Sequence, residues 1–336
     1  MIKFFRNLRQ QLLSENKLSK YLFYAIGEII LVVIGILVAL QINNTNDERR
    51  NEQKVHNLLA KIQTNIDTDL ERIDWLLDKY YQRDSVGWLV LLDKVTKEDY
   101  ENPNSILLHS LVYSYDQINL KKQSYENLIN QQDIISSEYD LIMDNLSTLY
   151  IDLYDFVLVS ENQLKEYVIR LNEEAVKEYE WYSDMKPSNL NSKKINFHLN
   201  DSTYKGMVKL NQQRTMGDYL NFILLYREQA MKIYKMIDAK LNSNGYINKL
   251  AQYGLNDSTF VGTYRLLNGN TIGTYMHNDF LYTTINNDTT MLHRHSDHHY
   301  AGTRGFLRFE TQRDSVLIYV NVFEAGRTPL GLKINE

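Results

Sequence analysis

Four histidines, His293, His295, His298 and His299, fall within seven residues, with Asp297 among them. On a strand His293 and His295 would share a face, and a turn would bring His298 near them. That is a three-histidine set suited to zinc or nickel. No His-Glu-x-x-His helix accompanies it to supply a general base, so histidines on an exposed turn are the expectation. Ser-x-x-Lys occurs at Ser14–Lys17, Ser183–Lys186 and Ser202–Lys205, but no Lys-Thr-Gly-like strand follows to complete a serine hydrolase. Phosphate-binding, dinucleotide-binding and calcium-loop patterns are missing. Cysteine is absent, which excludes disulfides, thiolate metal sites and cysteine nucleophiles. The expectation is no enzyme: no catalytic residue, no cofactor and no metal, with His293, His295 and His298 as the alternative metal set.

The remaining group with chemical potential is Glu28, an acid inside the apolar run Tyr21–Ile42. As a helix this run is about 33 Å long, enough to cross the hydrocarbon of a bilayer. It exceeds the apolar core of a signal peptide, and no small-residue cleavage site follows it, so it is expected to remain as a signal anchor. Lys3, Arg6, Arg9, Lys17 and Lys20 precede it, against Arg49, Arg50 and Lys54 after it. The excess of bases on the first side puts the N-terminus in the cytoplasm and the rest outside. Glu28 would cost about 2.5–3.5 kcal/mol within the span, less than the surrounding Ile, Leu and Val residues return. It shares a helical stripe with Leu31, Gly35 and Ala39, and Gly35-x-x-x-Ala39 is a small-xxx-small step. The stripe predicts contact with another membrane helix, from a second copy or from a partner protein. Alternatively Glu28 couples ions, as in a proton-motor stator subunit.

The elements beyond the span divide by composition. Residues 46–242 hold only Gly87, Gly206 and Gly217, whereas residues 245–336 hold nine of the 14 glycines. In the first region Val55, Leu59, Ile62, Ile66, Leu70, Ile73, Leu77 and Tyr80 recur by threes and fours, a coiled-coil-like seam. Further helices are expected over about 104–131, 134–184 and 214–242, separated by "KPSNLNSKKINFHLNDSTYKG", whose helical period is weaker. Together they predict an antiparallel bundle, in which Tyr113, Tyr115, Tyr125, Tyr139, Tyr150, Tyr154 and Tyr167 act as packing residues. Residues 243–336 alternate β-rich runs with Asn-Gly and Ala-Gly turns, predicting a small antiparallel sandwich or barrel. The fold class is therefore α+β: a cytoplasmic arm (1–20), a transmembrane helix (21–42), a long-helix bundle (43–242) and a β domain (243–336). Net charge is −5 without a long basic block, so nucleic acid is not an expected partner.

Two stretches carry resemblances. "MIKFFRNLRQQLLSENK", "YAIGEI" and "GILVALQIN", with "SYENLINQQDIISSEYDLIMDNLSTLY", resemble an uncharacterised family of single-pass membrane-anchored proteins from Bacteroidota over about residues 1–180. The family's usual Lys-Ser-Gly after "YENL" is Asn130-Gln131-Gln132 here. "FVGTYRL", "DFLYTTI", "HSDHHYAGTRGFLRFE" and "GLKI" resemble the lipocalin-like accessory domain of Bacteroidota β-lactamase-like serine hydrolases. The resemblance implies an accessory β module, not a hydrolase. Triplets at Ser85, Ser202, Ser258, Thr289 and Ser315, each preceded by Asp, resemble acceptors for periplasmic O-glycosylation in the same bacteria. About one such match is expected from ordinary composition. The expected protein is a non-enzymatic periplasmic sensor or scaffold held in the inner membrane, its β domain binding a protein, glycan or other ligand.

Overall fold

A single α-helix, α1, runs 74 residues from Leu18 to Leu91, about 110 Å. No proline falls within it, and the chain's three prolines all lie outside the long helices. The computed structural model describes residues 18–184, 186–242, 258–267, 269–277, 280–285, 288–296, 299–302, 305–312, 315–322, 326–327 and 331–334. The chain divides into two compact units: the part up to Leu58 with Gln131–Ile135, and Leu59–Asn130 with Ser136–Glu336.

In the first unit, the apolar stretch of α1 has a mean hydropathy of 2.6 in its most apolar window and none of that window is buried. Leu22, Phe23, Ile29 and Leu31 are all more than half exposed. Leucine and isoleucine in such numbers on every face of a bare helix are unfavourable in water and favourable in lipid.

The second unit contains the bundle. Short helices α2 (Lys97–Glu101), α3 (Ile106–Ser110) and α4 (Gln123–Ile129) follow α1. Next comes a rod of α5 (Asp140–Ser147), a π-helical turn (Thr148–Leu153) and α6 (Tyr154–Glu178). After α7 (Ser192–Asn200), a second rod joins α8 (Ser202–Gln212), another π turn (Gln213–Tyr219) and α9 (Leu220–Leu241). Leu59, Ile62, Ile66, Leu70, Ile73, Leu77 and Tyr80 of α1 are at most 1% exposed, so the seam faces the core along its length.

Side-chain bonds give the helix directions. Gln63 bonds Asp238, the Tyr226 hydroxyl donates to Asp69, and Gln212 donates to Asp84. Rising numbers in α1 meet falling numbers in α8–α9, so these rods are antiparallel. Likewise Gln229 donates to Asn145, Tyr219 to Glu161 and Tyr167 to the Met207 carbonyl. The α5–α6 rod therefore also runs against α8–α9, and parallel to α1.

The structure corrects three helix expectations. Instead of one helix over 104–131, α3 and α4 flank a non-helical stretch, 114–122. Its backbone is satisfied by side chains from the long helices. Arg83 donates to the Ser114 carbonyl (2.9 Å), Tyr80 Oη accepts from the Asp116 amide (3.0 Å), Glu161 accepts from the Ile118 amide (2.8 Å), and Asp69 from the Lys121 amide (2.9 Å). Helical hydrogen bonds are replaced rather than lost. Second, the helix expected over 134–184 occupies 140–178, and its π turn inserts one residue into the stripe. Phe156 is 51% exposed in consequence, while Val157 is buried. Third, the weak-period stretch is itself partly helical, as α7 and α8.

Among the described residues nine strands follow: β1 (Gly262–Leu266), β2 (Thr271–His277), β3 (Phe280–Ile285), β4 (Asp288–Ser296), β5 (His299–Gly302), β6 (Gly305–Gln312), β7 (Ser315–Val322), β8 (Gly326–Arg327) and β9 (Gly331–Ile334). Sequential neighbours from β1 to β7 pair antiparallel, and β9 pairs with both β7 and β1. The sheet thus closes into an up-and-down barrel, with β8 and β9 sharing one edge of β7. Inward positions alternate: Tyr264 and Leu266, Ile272 and Thr274, Leu281 and Thr283, Leu307 and Phe309, Val316 and Ile318 are buried. Phe260 stacks on Phe309 (4.6 Å) and the Tyr300 ring meets Phe309 edge-on (5.3 Å). The Tyr264 hydroxyl donates to the Phe260 carbonyl (2.8 Å). Buried side chains of the described residues occupy the interior, as a barrel of this strand number allows.

Candidate functional site

Beyond Glu178 the chain leaves α6 through two 3-10 turns, Glu180–Ser183 and Ser188–Leu190, before entering α7. This stretch and the segment around α3 enclose a cavity of about 470 Å³. Tyr113, Trp181 and Tyr182 supply aromatic walls, and His109, Asn172 and Lys194 supply polar groups.

Asn191 builds much of the geometry. Its Oδ1 accepts from the Lys194 amide (3.1 Å), capping α7, while its Nδ2 donates to the Trp181 carbonyl (3.2 Å). Asparagine suits this position because its side chain satisfies an amide that the first helical turn leaves unpaired. One buried residue thus fixes both the start of α7 and the turn bearing Trp181. On the opposite wall Asn172 donates to the Val168 (2.7 Å) and Tyr113 (3.1 Å) carbonyls and accepts from the Tyr182 hydroxyl.

Lys194 is half-buried, donates to Ser188 Oγ (2.9 Å) and lies 5.7 Å from the Trp181 ring. Loss of water pushes its pKa down to about 8, because burial disfavours the charged form. Below the cleft, His198 is 1% exposed, stacks on Tyr204 (4.1 Å) and meets Trp181 edge-on (5.8 Å). Neither ring nitrogen of His198 has a hydrogen-bond partner, and burial holds its pKa well below the usual histidine range. His109 is also buried; its Nε2 lies 2.8 Å from the Tyr100 carbonyl and its Nδ1 has no partner. Because a carbonyl only accepts, Nε2 carries the proton and Nδ1 is left as an acceptor. Burial lowers the pKa of His109 as well. The cleft therefore joins a cation near its neutral point with neutral imidazoles and aromatic faces.

Comparison with protein-family models, curated proteins and solved structures finds no match.

The residues singled out from sequence lie elsewhere. Glu28, Leu31, Gly35 and Ala39 fall on one stripe of α1; Leu31, Gly35 and Ala39 are exposed and Glu28 is half-buried. Apart from its chain neighbours and the helix's own backbone, no heavy atom lies within 4 Å of the Cβ position at Gly35. His293 and His295 belong to β4, whose register shifts between Arg294 and Ser296. Their side chains, and His298 entirely, lie outside the described residues. Among the described residues no group of three or more metal-ligating side chains is arranged around a common point. Ser85, Ser202, Ser258 and Thr289 are exposed, whereas the side chain of Ser315 lies outside the described residues. Of the seven tyrosines expected to pack, Tyr125, Tyr139, Tyr150 and Tyr167 are buried, and Tyr113 is a cleft wall. Sequence reasoning missed His109, Trp181, Lys194 and His198. Their one visible signal was the weaker helical period of the stretch that supplies Lys194 and His198.

Proposed function

We propose that the protein is a non-enzymatic sensor or scaffold of the inner membrane, spanning it once, with bundle and barrel in the periplasm. One observation carries the reading: the same uninterrupted helix is apolar and bare over its first third and buries an apolar seam from Val55 to Tyr80. Such a helix is both anchor and core element. The excess of bases before the span supports the outward orientation. The likenesses to anchored Bacteroidota proteins and to an accessory β module support the same location. Phe260, Tyr264 and Phe309 occupy the barrel interior, which favours a partner or glycan meeting the barrel on its outer surface or rims.

Protease added to spheroplasts should digest the bundle and barrel. Protein from its native host should weigh more than the polypeptide by hexose-sized steps, with Ser85, Ser202, Ser258 and Thr289 the accessible acceptors. Full protection together with a bare polypeptide mass would overturn the orientation.

Helix contact within the membrane makes a separate prediction. Gly35→Ile places a branched side chain on the stripe shared with Glu28 and should lower the crosslinked fraction in membranes about fivefold, for a contact worth about 1 kcal/mol. Unchanged crosslinking would assign the contact to another face. Glu28→Gln should leave crosslinking largely intact if the side chain serves as a hydrogen-bonding group, and should abolish activity if it carries protons.

A further inference from the structure

We propose that the cleft formed by the Pro103–Tyr113 and Trp181–Lys194 segments binds a small organic anion, its charged group on Lys194 and its ring against the aromatic walls. The proposal concerns the bundle alone and holds on whichever side of the membrane the bundle lies.

Lys194 carries a charge that lacks its complement. Three other bundle cations are matched: Arg227 pairs with Asp74 (3.2 Å), Lys240 with Glu138 (2.6 Å), and Lys193, next to Lys194, with Glu180 (2.7 Å). Among the described residues no carboxylate pairs with Lys194, although it is the half-buried one of the two neighbouring lysines. Its bond to the Ser188 hydroxyl uses one of three N–H donors and the Trp181 ring lies 5.7 Å away, so a half-buried ammonium has one neutral hydrogen-bond acceptor and no counter-charge. Asp184, on the same cavity, is exposed and accepts from the Lys186 amide (3.1 Å). It lies at the rim, where water screens it. An incoming carboxylate or phosphate would supply the missing charge.

The walls point to the rest of the ligand. The cavity, at about 470 Å³, falls in the range of small-molecule sites. Tyr113, Trp181 and Tyr182 offer flat surfaces for a ring, and the bonds made by Asn172 and Asn191 hold those walls in place before any ligand arrives. Walls fixed in advance reduce the ordering cost of binding.

The test is calorimetric titration of the full chain in detergent with two matched pairs, D-glucuronate against D-glucose and benzoate against benzyl alcohol. In at least one pair the acid should bind about tenfold tighter than its neutral counterpart, the value of one charge-assisted hydrogen bond. Discrimination in the first pair identifies a sugar acid, and in the second an aromatic acid. Lys194→Met should remove that preference while leaving the thermal midpoint of the ligand-free protein in place. Neutral molecules binding as well as the acids, no acid binding at all, or a preference that survives Lys194→Met would each overturn the proposal. The wild-type comparison needs no variant, so the test stands even if Lys194→Met fails to fold. Failure of the spheroplast experiment would leave this result untouched.

Discussion

Glu161→Ala is expected to lower the unfolding free energy by about 2–4 kcal/mol. The carboxylate is 7% exposed and accepts from the Ile118 amide (2.8 Å) and the Tyr219 hydroxyl (3.0 Å). Alanine leaves the Ile118 amide buried and unpaired, at about 1–3 kcal/mol, confines the Tyr219 hydroxyl to its longer bond with the Asp116 carbonyl (3.3 Å), and adds a cavity. Glu161→Gln keeps an acceptor oxygen and should recover most of the loss. Denaturant unfolding of the three proteins in the same detergent measures this directly. Hydrogen exchange should show the Ile118 amide losing its protection first, because that bond holds the non-helical stretch against α6. If Ala and Gln variants were equally stable, the acceptor role would be wrong.

The second large effect is a dependence on pH centred on Asp69. This residue is 1% exposed, between the Lys121 amide (2.9 Å) and the Tyr226 hydroxyl (2.9 Å). Burial raises its pKa to about 7, outweighing the two hydrogen bonds that lower it. The folded state therefore holds this proton more tightly than the unfolded chain, whose value is near 3.8. The sign follows: the contribution is complete below about pH 4 and is lost as pH rises through 7. Its size is on the order of 4 kcal/mol. Asp84, raised by burial to about 6, acts in the same direction. Asp69→Asn should flatten the decline in stability between pH 4 and 7, leaving the smaller slope due to Asp84. A slope identical to wild type would show that Asp69 is ionised throughout.

Local pattern was legible in the sequence, and long-range partnership was not. The seam from Val55 to Tyr80 announces itself because Val55, Leu59, Ile62, Ile66, Leu70, Ile73, Leu77 and Tyr80 recur at every third or fourth residue of an unbroken helix. The same rule misleads over 104–131. Leu108, Leu111, Val112, Ile118, Tyr125 and Leu128 are all buried and mimic a helical stripe, yet the intervening backbone bonds to Asp69, Tyr80, Arg83 and Glu161. Those groups lie between 31 and 52 residues away along the chain, beyond any local period. Phe156 and Val157 exchange roles because a π turn adds a residue that propensity does not reveal. The cleft was hidden for a related reason: Tyr113, Asn172, Trp181 and Lys194 come from three separate stretches, none with a motif of its own. Strand and turn composition marked the β domain, but nothing local indicated that the sheet closes on itself.

That closure has a consequence for how the chain matures. The β1 edge, Thr263–Leu266, finds its partner only in Gly331–Ile334, which also covers Leu317 and Ile318 of β7. During synthesis the ribosome must release some 65 further residues after β1 before the ring can shut. Until then two strands present unpaired amides and carbonyls, the template on which sheets from different molecules join. The four-residue strand β9 therefore acts as the latch of the barrel, and losing it would expose two adhesive edges at once.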